Sequence, residues 1–142
     1  MPASPTHLIV DAMNVIGSRP DGWWRDREAA VRRLVGRLQR LARAEQRPVT
    51  VVIDGRPLRD LPEAMHGGVH VCYATRAGPN AADDRIVDLV KAHPDPASLV
   101  VITSDRVLAV RARAHGASVR GAGSLLERLD ALDAGSAGPD GG

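Results

Sequence analysis

The sequence predicts an α/β domain of the Rossmann-like type, with a parallel sheet of about five strands flanked by helices. Short runs rich in Val, Ile and Leu alternate with longer amphipathic stretches, which is the pattern of β-α-β units. Three of these runs are almost continuously apolar, as expected for strands that helices cover on both faces. The length of 142 residues and the hydrophobic content of 44% fit one domain with a single core.

Five runs are predicted to form strands. They cover residues 7–10, 49–53, 69–73, 99–103 and 117–120, and the last of them is short and weakly patterned. Four longer stretches have helical periodicity and cover residues 26–45, 80–92, 105–115 and 124–132. We expect the domain to span residues 1–134 and to be followed by a disordered, Gly-rich tail at 135–142.

Local signals support the helices. In the first one Val31, Leu34 and Leu38 fall on one face, which predicts that this face is buried. Pro94 stops the second helix, because a proline disfavours helical backbone at the residue before it. Gly116 closes the third.

Composition excludes several classes of protein. The single cysteine, Cys72, rules out an intrachain disulfide and a cysteine-based zinc site. No apolar run approaches the roughly 18 to 20 residues of a membrane helix, and no signal peptide is visible, so we expect a cytoplasmic protein. The 19 basic and 17 acidic residues give a formal charge of +2, which alone is a weak indication of any partner.

The most informative feature is the aspartate that stands at the end of three predicted strands. These residues are Asp11, Asp54 and Asp105. In an open parallel sheet all strand carboxyl ends lie at one edge, where ligands bind. If the first strand is central, the three aspartates share one cleft, and Asp83 and Asp84 join them from the first turn of the helix that follows the third strand.

Clustered carboxylates indicate a metal site, because they repel one another unless a cation neutralises them. Oxygen ligands favour Mg²⁺ or Mn²⁺, whereas zinc would require His or Cys, and the five histidines are scattered along the chain. Such an ion supports phosphoryl chemistry. Any single aspartate after a strand is more often a turn former or a helix cap, so the interpretation depends on the three occurring together.

These residues lie in four motifs, which are DAMN at 11–14, VVIDG at 51–55, NAADDRI at 80–86 and VITSD at 101–105. Together they resemble the NYN domain, a PIN-like ribonuclease family, in its YacP-like bacterial branch. The resemblance covers residues 7 to about 132. One departure is Ala12, at a position where this family commonly has a glycine.

The resemblance implies a metal-dependent endoribonuclease on a sheet with strand order 3-2-1-4-5. Asp11 and Asp105 would be the principal metal ligands, and the pair Asp83–Asp84 would supply the third acid, with either member possible. Asp54 is a further metal candidate, although Gly55 makes a role in a turn credible. The implied cofactor is Mg²⁺ or Mn²⁺.

Further residues are expected to contact substrate. The resemblance implies that Asn14 holds a metal-bound water or a phosphate, and that Thr103 and Ser104 hydrogen-bond the acids or the scissile phosphate. Arginines in or beside the loops at the carboxyl edge are candidates for phosphate contacts, namely Arg19, Arg25, Arg56, Arg76, Arg85 and Arg106. Trp23 and Trp24 either stack on unpaired bases or anchor their loop.

RNA is the expected partner and the ribosome is a candidate second one, whereas no membrane contact is expected and the oligomeric state stays open. The main alternative function is a catalytically silent NYN-like module that binds RNA or a protein. A phosphatase of a related fold would need a second Asp where Met13 stands, and a receiver domain would need a lysine at a late strand end. A structure-specific DNA nuclease would need additional helices.

Overall fold

The computed structural model describes residues 6–75 and 78–136. Its centre is a six-stranded sheet with the order β3-β4-β2-β1-β5-β6. The strands are β1 (His7–Asp11), β2 (Val49–Asp54), β3 (Ala64–His66), β4 (Val69–Ala74), β5 (Leu99–Ile102) and β6 (Ser118–Arg120). The five predicted strands are all present and parallel, and without β3 their order is the one that the resemblance implies.

The additional strand, β3, corrects the predicted sheet of five strands. It pairs antiparallel with β4 at the edge of the sheet, through a turn at Gly67 and Gly68. Both glycines have positive φ, 57° and 88°, which a residue with a side chain adopts rarely. The three residues of β3 are largely exposed, so the strand has no apolar pattern from which it could have been predicted.

In the described part of the chain, five α-helices surround the sheet. They are α1 (Ala12–Gly17), α2 (Arg27–Glu45), α3 (Ala81–Ala92), α4 (Arg106–Ala114) and α5 (Ala122–Ser136). The last four correspond to the predicted helices, whereas α1 was not predicted, because six residues are too few for a clear periodicity. Gly135 and Ser136, expected in the tail, belong to α5, and residues 137–142 of that tail lie outside the described residues.

The sheet separates two layers of core. Leu8 and Val10 point into a cluster with α1, α2 and α5, and Ile9 points into the opposite cluster with α3 and α4. This alternation explains why β1 is apolar at each of these positions, since both faces are covered. Cys72 is a buried free thiol in the second cluster.

The topology places the aspartates at one edge. In β1 Val10 lies beside Ile102 of β5, so Asp11 and Thr103 follow at the same level of neighbouring strands. On the other side Asp11 is in register with Val52 of β2. Among the described helices, none is both long and apolar enough to cross a lipid bilayer.

Candidate functional site

Asp11 is the centre of the acidic edge. It is the last residue of β1 and the residue from which α1 begins, and it is only 6% exposed. Thr103 Oγ1 donates a hydrogen bond to Asp11 Oδ2 over 3.0 Å. A charged group that is so deeply buried costs free energy unless its environment compensates it.

Thr103 also connects Asp11 to Asp105. Its Oγ1 accepts a hydrogen bond from the Asp105 N–H over 3.1 Å, so one hydroxyl contacts both acidic residues. The Asp105 side chain caps α4, because its Oδ1 accepts from the N–H groups of Val107 at 2.9 Å and Leu108 at 3.3 Å. Asp105 is therefore a helix cap that also shares the Thr103 hydroxyl with Asp11, so its capping role does not exclude a role in a functional site.

Electrostatics show that the acids interact. Burial raises the pKa of Asp11 to about 6; the hydrogen bond from Thr103 opposes this, and the charges of Asp83 and Asp105 add to it. The pKa of Asp83 is also raised, first by burial and then by Asp105. Asp11, Asp83 and Asp105 thus form a mutually repelling group, which we call the acid triad.

The structure distinguishes Asp83 from Asp84. Asp84 Oδ1 lies 2.9 Å from Arg111 Nη1, in an ion pair between α3 and α4. Asp83 is the member whose pKa Asp105 raises, while Arg111 lowers it. Arg111 was not identified from the sequence, since nothing but the packing of α4 on α3 brings it to the acids.

Asp54 is placed less centrally. It is the exposed last residue of β2, and its charge is the last in order of the causes that raise the pKa of Asp83. Its carbonyl oxygen accepts a hydrogen bond from Arg27 Nη2, and the following Gly55 has φ 116°. Both observations give this position a role in the turn.

Asn14 and Ser104 hold the loop at the end of β5. Asn14 Oδ1 accepts from the Ser104 N–H over 2.8 Å, which ties α1 to this loop. Ser104 Oγ accepts from the Ala122 N–H over 3.0 Å and so ties the loop to the start of α5. Both side chains are therefore engaged in fixing the backbone around Asp105.

The predicted phosphate-binding arginines differ in their surroundings. Arg85 donates to the Tyr73 carbonyl at 3.1 Å and to Glu63 Oε2 at 3.2 Å, and Arg19 pairs with Asp130. Arg106 is exposed in the first turn of α4, next to Asp105. Arg25 and Arg56 are also exposed, and Arg76 lies outside the described residues.

The two tryptophans have different environments. Trp23 is half-buried, and its ring lies close to Gly17 at the end of α1. Trp24 is 58% exposed, and its ring makes an edge contact with that of Trp23. The arrangement fits an anchor at Trp23 and leaves the ring of Trp24 accessible.

The side chains at the acidic edge are of the chemical type that binds a hard divalent cation. They supply carboxylate oxygens whose mutual repulsion a cation would relieve. Within residues 6–75 and 78–136, however, no three acidic, His or Cys side chains converge closely enough to form a ready-made metal site. An ion bound directly by all three carboxylates therefore requires their side chains to turn toward one another, whereas an ion bound by one or two carboxylates and several waters does not.

Among solved structures, two crystal structures of one bacterial protein are similar to this chain. The crystal structure of Rae1 (YacP) from Bacillus subtilis has a TM-score of 0.69 and 26% identity, over 89% of this chain and 74% of that one. Its W164L mutant has a TM-score of 0.71 and 26% identity, over 89% and 76%.

A comparison with curated proteins found no match. A comparison with protein families matches residues 8–137 to the YacP-like NYN domain. That range contains the whole acidic edge and, apart from His7 at the start of β1, every strand of the sheet. The chain therefore belongs to the family of YacP-like NYN domains.

Proposed function

We propose that this protein is a metal-dependent endoribonuclease that hydrolyses RNA phosphodiester bonds at the acidic edge of its sheet. The observation that carries the proposal is the acid triad, in which a carboxylate buried to 6% exposure has its pKa raised to about 6 next to two further acids. Functional sites keep carboxylates close together despite their repulsion, because a bound cation neutralises their charge. Membership of the NYN family makes RNA the favoured substrate.

Asp11, Asp83 and Asp105 would hold Mg²⁺ or Mn²⁺. When bound, such an ion lowers the pKa of a water molecule and stabilises the charge that develops on the leaving oxygen. Asp84 is assigned to positioning, because it pairs with Arg111 across α3 and α4. We assign Asp54 no direct contact with the ion, and its charge adds to the negative potential at the acid triad.

The other residues of the edge orient the acids and the substrate. Thr103 fixes the Asp11 carboxylate, while Asn14 and Ser104 fix the loop that carries Asp105. Arg106, which is exposed beside Asp105, would contact a phosphate of the RNA, and the accessible ring of Trp24 would stack on an unpaired base. Arg85 has a smaller share in phosphate binding, because Glu63 neutralises it.

The test is cleavage of a mixed pool of single-stranded and hairpin RNAs by purified protein in Mg²⁺, in Mn²⁺ and in EDTA. We expect cleavage in metal that Asp105→Asn abolishes. Asp95→Asn is a matched control, because Asp95 is an exposed aspartate that precedes β5 at the opposite edge of the sheet. Cleavage that persists in EDTA, or that both variants reduce equally, contradicts the proposal.

The competing function is an NYN domain that binds RNA or a protein and cleaves nothing. RNA binding without cleavage in either metal would support this alternative. The cytoplasmic location and the ribosome as a partner stay predictions from the sequence.

A further inference from the structure

A cavity of about 300 Å³ lies on the face of the sheet that α2 and α5 cover, and it shares no residue with the acidic edge. We call it the arginine cavity, and it is lined by Thr6, Leu8, Arg47, Val100, Arg120 and Arg128. Leu8 and Val100 are register partners in β1 and β5 and form an apolar floor. The volume is at the lower end of the range for small-molecule sites, roughly 300–1,000 Å³.

Three arginines from separate segments surround this floor. Arg47 comes from the turn before β2, Arg120 ends β6 and Arg128 lies in α5. Glu45 is shared between two of them, since its Oε1 lies 3.0 Å from Arg47 Nε and also contacts Arg128 Nη2. Glu45 thus pairs with two of the three guanidinium groups, and the excess of positive charge around this partly enclosed space favours an anion.

The guanidinium of Arg47 is incompletely satisfied. Its Nε is buried, and among the described residues no acceptor meets it with hydrogen-bond geometry, although Glu45 lies at ion-pair distance. A buried N–H without an acceptor costs free energy. The Arg47 guanidinium therefore gains a hydrogen-bond acceptor, and this cost is relieved, if it turns toward an oxyanion in the cavity.

We propose that the arginine cavity binds a phosphate group, carried either by a free mononucleotide or by an RNA strand. Guanidinium groups pair with phosphate oxygens through two parallel hydrogen bonds, so three of them can enclose one phosphate. The apolar floor accommodates the sugar or base attached to it. The proposal does not depend on catalysis at the acidic edge, because the two sites share no residue.

The test is isothermal titration calorimetry in EDTA with two probes, adenosine monophosphate and a short single-stranded RNA. We expect Arg120→Gln and Arg128→Gln to weaken binding at least about fivefold, since each removes a charge-assisted contact. Arg113→Gln is the matched control, as Arg113 is an exposed arginine of α4 outside the cavity. Binding of the mononucleotide identifies a free nucleotide as ligand, whereas binding of RNA alone identifies the strand.

A variant that is expected to strengthen binding provides a second test. Glu45→Gln removes the carboxylate that neutralises Arg47 and Arg128, so it is expected to tighten binding about three- to fivefold. Arg120 ends an edge strand and is exposed, so Arg120→Gln leaves the core intact. The proposal is overturned if neither probe binds, or if Arg120→Gln and Arg113→Gln change the affinity equally.

Discussion

Thr103 Oγ1 donates to Asp11 Oδ2 over 3.0 Å, and the same oxygen accepts from the Asp105 N–H over 3.1 Å. The hydroxyl has one proton, and donating it to Asp11 leaves a lone pair for the Asp105 backbone. Thr103 is 2% exposed, so water does not replace either partner. The relative placement of the two acids therefore depends on a single buried side chain.

Replacing this hydroxyl by a methyl group tests the relationship. We expect Thr103→Val to lower the free energy of unfolding by about 1–3 kcal/mol, because a buried N–H and a buried carboxylate each lose a partner. RNA cleavage should fall as well, since Asp11 loses the bond that opposes the rise of its pKa. Urea denaturation and cleavage rates measure the two effects.

Thr103→Ser keeps the hydroxyl and is the control for that experiment. We expect it to retain most of the cleavage activity, at a modest cost in packing. If Thr103→Val and Thr103→Ser are equally active, the hydroxyl has no part in positioning the acids.

Asp11 is expected to destabilise the metal-free protein at neutral pH. Its pKa is about 6 in the folded chain and 3.8 in the reference state, so between these values the folded state retains a proton that the unfolded state has lost. Its contribution to stability is therefore present below pH 3.8 and is lost as the pH rises to about 6. We expect Asp11→Asn in EDTA at pH 7 to be more stable, by up to about 3 kcal/mol.

The measurement for Asp11→Asn is denaturant unfolding in EDTA at several pH values. The difference in stability between the variant and the wild type should disappear below about pH 4, where Asp11 is protonated in both the folded and the unfolded chain. In metal the same variant should lose RNA cleavage. A variant that is less stable than the wild type at pH 7 would contradict the assigned cost of burying this carboxylate.

Sequence patterns predicted the parts of the fold that local chemistry determines. The apolar residues of β1, β2 and β5 indicated strands covered on both faces, and the acid after each strand indicated the edge at which they meet. The pairing of β3 could not be predicted, because its exposed residues are held by a turn at Gly67 and Gly68. Tertiary contacts also decide the orientation of Asp83 and Asp84, since Arg111 comes from another helix.

Asp130 should make the protein sensitive to acid. Hydrogen bonds from Arg19 and Arg37 lower the pKa of Asp130 to about 2, and this carboxylate thereby joins α5 to α2 and to the loop after α1. The stability that it contributes is present above pH 3.8 and is lost as the pH falls to about 2. Thermal unfolding of Asp130→Asn should therefore depend less on pH across this window than that of the wild type.

The control for Asp130→Asn is Asp95→Asn, which removes an exposed aspartate outside this network. We expect its unfolding temperature to follow the wild-type curve. Added salt should reduce the difference between Asp130→Asn and the wild type, because exposed ion pairs are screened. A difference that persists at pH 2 would assign the effect to packing of the side chain.

Arg111 is expected to weaken metal binding while it positions Asp84. Its guanidinium lies 2.9 Å from Asp84 Oδ1, and its charge lowers the pKa of Asp83, so it reduces the negative potential that a cation meets. Arg111→Gln should therefore lower the Mg²⁺ or Mn²⁺ concentration needed for half-maximal cleavage, about three- to tenfold. Arg113→Gln, on the same helix, should leave this concentration unchanged. A higher metal requirement in Arg111→Gln would show instead that holding Asp84 in place matters more than the positive charge.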